Sequence, residues 1–139
     1  MQPVTRIRLF GFRLAACVLA AYWSLIFFGT HLPKLPAATQ GIPDKVAHFT
    51  AFFGLALLLC YVTNSTRLWR RFGSIVVLCV AYGIIDEVTQ SLVRGRQTDV
   101  LDLLADTAGT LLAVGLYSAA RWVWQRRSTF PRSTMPQVI

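Results

Sequence analysis

Five of the six acidic residues of this 139-residue chain fall between Asp86 and Asp106, in the stretch DEVTQSLVRGRQTDVLDLLAD, with apolar runs on either side. The sixth, Asp44, stands in IPDKVAH, four residues before His48. These residue types offer three kinds of chemistry. An imidazole oriented by a carboxylate serves as a general acid or base. Grouped Asp and Glu oxygens hold a divalent cation, and Arg or Lys clamps a phosphate. The candidate catalytic residues are His48, Glu87 and Asp102. The candidate ligand-binding set is Asp44, Lys45, His48, Glu87, Gln90, Arg96, Asp99, Asp102 and Asp106. No cofactor and no metal is assigned. Across this region six carboxylates meet only Lys45, Arg94 and Arg96. Either a divalent cation or proton uptake by the deepest carboxyls must relieve that excess.

Each of these residues also has a plainer reading. Asp44 follows Pro43 and suits the positive end of a helix dipole. Asp99 and Asp102 form a D-x-x-D helix start that capping alone would explain. Arg94 and Arg96 can anchor a loop to lipid headgroups, and Asp86, one helical step from Glu87, points to another neighbour or to water. Glu87 and Asp106 resist dismissal, because a carboxyl two turns inside a span costs several kcal/mol unless paired, hydrated or protonated. For these two, glue between helices and a functional pocket both stay open.

The elements that must position the acids follow from composition. With 55% hydrophobic and 14% charged residues and four long apolar runs, the chain reads as one all-α membrane domain, an integral four-helix bundle. Its spans are expected at about residues 11–29, 43–63, 72–93 and 99–124. Residues 1–10 precede them, and a basic, disordered tail is expected at 125–139. The N-terminus has the basic start and apolar core of a signal peptide but no A-x-A pattern, so it is kept as the first span. Pro33, Pro36 and Gly41 mark the first loop, and Trp69, Trp122 and Trp124 fall where interfacial anchors belong. Cys17, Cys60 and Cys79 all lie in apolar runs and read as small core hydrophobes.

A net charge of +8 would suggest nucleic acid for a soluble protein, but these basic residues sit between and outside the spans. They serve topology and lipid headgroups instead. Ten of them fall on the side of the termini and the second loop, four on the other. Both termini are therefore expected in the cytoplasm, with the acids in the outer half of the membrane. At about 1.5 Å per residue, His48 lies roughly 6 Å inward of Asp44, and Glu87 and Asp106 each about 10 Å from the third loop. Asp99, Asp102 and Asp106 share one helix stripe, and Glu87, Gln90 and Arg94 repeat its spacing on the third span. A short connection makes these two helices antiparallel neighbours. Small residues at Ala105, Gly109 and Ala113 allow close helix packing.

The order D-K-x-x-H-F at Asp44 to Phe49, E-x-x-Q at Glu87 and Gln90, then R-x-x-D-x-x-D at Arg96, Asp99 and Asp102 with Gly109 beyond, resembles the VanZ-like family. The likeness covers about Ser24 to Gly115. Asp106 stands where the family generally has Asn, and Ala113 where a second Gly is common. The resemblance implies a multi-pass bacterial membrane protein related to one linked to resistance against the glycopeptide teicoplanin.

Three function classes follow. The first is an envelope protein that binds a lipid-linked or cell-wall-related molecule, or a membrane partner, through an outward polar pocket. The second is a membrane hydrolase or transferase acting on a lipid headgroup with His and carboxylate catalysis, although G-x-S-x-G and H-E-x-x-H are absent. The third, a transporter, lacks an internal repeat and acids spread through the membrane depth.

Overall fold

The computed structural model describes residues 8–9, 12–32 and 43–128. Its order is β1 (Arg8–Leu9), β2 (Phe12–Arg13), α1 (Leu14–Thr30), α2 (Asp44–Val62), α3 (Leu68–Gln90) and α4 (Val100–Ser128). The fold is all-helical apart from the two short strands, an antiparallel hairpin that hydropathy does not foretell. Helices α2, α3 and α4 are each long and apolar enough to cross a membrane, while α1, at 17 residues, is a shorter apolar helix. The Pro33 to Gly41 loop and the tail beyond Ser128 lie outside the described residues.

Several helix ends differ from their expected positions for local reasons. Helix α3 begins at Leu68, because Trp69, Arg70 and Arg71 extend the helix rather than the loop. It stops at Gln90, so Arg94 is not on the Glu87–Gln90 stripe but in the exposed turn beyond it. That turn is closed by Val93 N–H to the Gln90 carbonyl and Arg96 N–H to the Val93 carbonyl. Gly95 in it adopts φ +82°, where a side chain would be strained. Helix α4 continues to Ser128, well into the expected tail.

Helix α2 is the axis of the bundle. Its Phe52, Leu55, Ala56, Leu59 and Cys60 are buried and meet Ile75 and Cys79 of α3, Ala113 of α4 and Ile26 of α1. The α2–α4 seam is closest at Gly109, where a Cβ would collide with the Phe49 carbonyl and the Phe53 amide nitrogen. Only a residue without a side chain lets two backbones approach this far. At the α2–α3 corner Arg71 is buried. Its guanidinium donates to the Cys60 carbonyl and to Thr63 Oγ1 (3.2 Å) and lies over the Tyr117 ring. It satisfies the last turn of α2, a structural role in addition to its count as a topology signal.

Candidate functional site

The first turn of α2, the last turns of α3 and the first turns of α4 meet at one end of the bundle, and each brings its own polar residues. Asp99 N-caps α4, its Oδ1 accepting the Leu101 N–H at 2.8 Å, as the D-x-x-D spacing implies. Its own N–H donates to Glu87 Oε2 at 2.9 Å, which ties the end of α3 to the start of α4. From α2, Lys45 Nζ reaches Asp99 Oδ2 at 2.6 Å and Asp102 Oδ1 at 3.0 Å.

His48 is the centre of this arrangement, 2% exposed and lodged between two carboxylates one turn apart on α4. Nδ1 is 3.1 Å from Asp106 Oδ1, while Nε2 is 4.0 Å from Asp102 Oδ2, beyond hydrogen-bond range. Asp102 and Asp106 are themselves 4% and 1% exposed. Gly83 of α3 leaves the room Asp106 needs, since a Cβ there would press on its Oδ2. Glu87 Oε1 and Asp106 Oδ2 are buried with no hydrogen-bond partner among the described residues.

The structure therefore brings Lys45, His48, Asp99, Asp102, Asp106 and Glu87 together, with Asp44 at the mouth. It separates Gln90 from them. Gln90 Nε2 donates to Asp86 Oδ2 at 2.6 Å and its Oε1 accepts from Arg96 Nη1 at 2.9 Å. Asp86 faces neither water nor the His48 group. Fully buried, it accepts from Thr30 Oγ1 of α1 at 3.0 Å, with His31 Nδ1 3.8 Å away. His31 Nε2 in turn meets Thr89 Oγ1 at 2.9 Å, and Arg96 Nε donates to the Leu32 carbonyl at 2.8 Å. Thr30, His31 and Thr89 were missed in the sequence. The available signal was a Thr-His pair ending an apolar run in a chain with only two histidines.

Between α1 and α2 an open cleft of about 410 Å³ runs down to this end. Tyr22, Leu25, Ile26 and Gly29 form one wall, Ala47, Thr50 and Ala51 the other. Asp44, His48, Thr30 and Arg96 line its polar part. An apolar trough with convergent polar groups at one end suits a ligand that is itself amphiphilic.

The sequence profile of the family described as VanZ/LLP1 matches residues 3–123. An uncharacterized protein of the fission yeast Schizosaccharomyces pombe is 34% identical over 97 residues, which are 70% of this chain and 60% of that protein. The chain thus spans about 60% of the length of this relative. No solved structure matches significantly.

Proposed function

The chain belongs to the VanZ/LLP1 family, and from the geometry of its polar end we propose that it is a multi-pass membrane protein that binds an amphiphilic, lipid-linked molecule. The apolar part of the ligand lies in the cleft between α1 and α2, and its polar head reaches His48, Asp44 and Arg96. The observation that carries this reading is the cleft itself, apolar along its length and closed at one end by Asp44, His48, Thr30 and Arg96. Because a fission-yeast protein is 34% identical to this chain over 97 residues, the ligand is defined by this chemistry rather than as a bacterial cell-wall precursor, and resistance to teicoplanin is not carried over.

The orientation that goes with the proposal has both termini in the cytoplasm and the His48 end facing out of the cell membrane, supported by the excess of basic residues on the other side. Reporter fusions at Asn64 and after Arg127 should read cytoplasmic. A cytoplasmic signal from the Pro36 to Gly41 loop would invert it.

The binding test is to purify the full-length protein in mild detergent and identify co-purified amphiphiles by mass spectrometry. Wild type should carry a bound amphiphile, and Ala47→Trp, which fills the cleft from its wall, should lose it while melting normally. Equal loads in both proteins would refute the binding mode. A second reading, a hydrolase or transferase on the same headgroup, is favoured by one observation. Asp106 orients the His48 ring at 3.1 Å, as a general base requires. Turnover of the bound amphiphile that stops in His48→Gln would establish it.

A further inference from the structure

We propose that Asp44, His48 and Asp102 bind one divalent metal ion. One ligand atom from each of the three lies within 4.8 Å of the others. That is the spread of donors around a single ion, whose bonds to nitrogen and oxygen run about 2.0–2.4 Å.

The bonding of His48 is an independent pointer to the same place. Its Nδ1 faces Asp106 Oδ1 at 3.1 Å, and with Asp106 ionised and accepting there, the ring proton belongs on Nδ1 and the lone pair on Nε2. This nitrogen belongs to a residue only 2% exposed, and the Asp102 oxygen it faces is 4.0 Å away, too far for a hydrogen bond. An inward imidazole nitrogen that holds a lone pair opposite carboxylate oxygens, with the far nitrogen bonded to another carboxylate, is the carboxylate–histidine–metal arrangement.

Neighbouring residues fit the same assignment. Lys45 holds Asp102 by Oδ1 and so leaves Oδ2 towards the imidazole. Glu87, held through Oε2 by the Asp99 N–H, keeps Oε1 buried without a hydrogen-bond partner among the described residues, ready to accept from a metal-bound water. Two carboxylates and one imidazole suit Mn2+ or Zn2+ better than Ca2+, which takes six to eight oxygens. Asp44 and His48 also line the cleft, so the open coordination positions face it. The inference goes beyond the amphiphile reading and does not require it, since the metal is measured with no amphiphile added.

The experiment is a titration of full-length, chelator-stripped protein in detergent with Mn2+ alone, read by electron paramagnetic resonance. The wild type should bind one Mn2+ per chain, with the nitrogen coupling of a directly bound imidazole in the pulsed spectrum. Asp44→Asn and Asp102→Asn should each weaken binding by about tenfold or more, and Asp106→Asn by roughly tenfold through the loss of the carboxylate charge that raises the basicity of the ring. Asp86→Asn, in the neighbouring network, should change it less than about twofold. Absence of saturable binding, or bound Mn2+ without nitrogen coupling, overturns the proposal. Both are read on the wild type, so a variant that fails to fold does not blur the answer. A negative result leaves the co-purification test standing.

Discussion

Two histidine–aspartate groups sit a few turns apart in this bundle, and they are built in opposite ways. Around Asp86 the hydrogen bonds close. Both of its oxygens are taken, by Thr30 and Gln90, Gln90 is held by Arg96, and His31 bonds through both ring nitrogens. Around His48 they do not close. Nε2 stops 4.0 Å from Asp102, and one oxygen each of Glu87 and Asp106 is buried without a partner among the described residues. A buried carboxylate with both oxygens bonded inside a membrane bundle is glue between helices, here α1 and α3. One that leaves acceptors over, beside a cleft, is arranged for something that arrives.

The contrast can be broken most severely at the seam that carries the His48 group. Gly109→Val drives its Cβ into the Phe49 carbonyl, a backbone group that cannot step aside. We expect a loss of about 3 kcal/mol, read as a large fall in melting temperature in detergent. An unchanged melting curve would mean that α2 and α4 are not so closely packed.

Next in size is Asp86→Leu, which strands the Gln90 amide and leaves the Thr30 hydroxyl only the carbonyls of its own helix. Its cost should be about 2–3 kcal/mol, since a buried group left unpaired loses its full desolvation energy. His48→Gln should cost less than about 1 kcal/mol, because the amide can still donate to Asp106. A greater cost for His48→Gln than for Asp86→Leu would reverse the assignment of glue and site.

The smallest effects sharpen the role of Asp106. Asp106→Asn keeps an acceptor for the His48 N–H and should move stability by less than about 0.5 kcal/mol, whereas Asp106→Leu should cost about 1–2 kcal/mol. Equal melting temperatures for the two variants would show that the 3.1 Å contact is idle in the membrane.

How much of this was legible in the sequence depends on the range of the signal. Spacing placed Asp99, Asp102 and Asp106 on one stripe of α4 and gave Asp99 its capping role, because both depend on residues within two turns. The pairing of His48 with Asp106, 58 residues away, depends on the roll of α2 against α4, which is set by Gly109 and not by any local pattern. Asp86 and Glu87 diverge for a related reason. Adjacent helical positions differ by about 100°, so one faces α1 and the other faces α4. Arg94 was misplaced because nothing before Gly95 signals that α3 stops at Gln90.

The most direct measurement pairs stability with occupancy. Melting temperature and co-purified amphiphile are recorded on the same full-length preparations of wild type, His48→Gln and Asp86→Asn. The account predicts that His48→Gln melts near wild type but carries little amphiphile, while Asp86→Asn melts earlier yet, where folded, carries the wild-type load. A His48→Gln protein with a full load, or a load that merely tracks melting temperature in both variants, would contradict it.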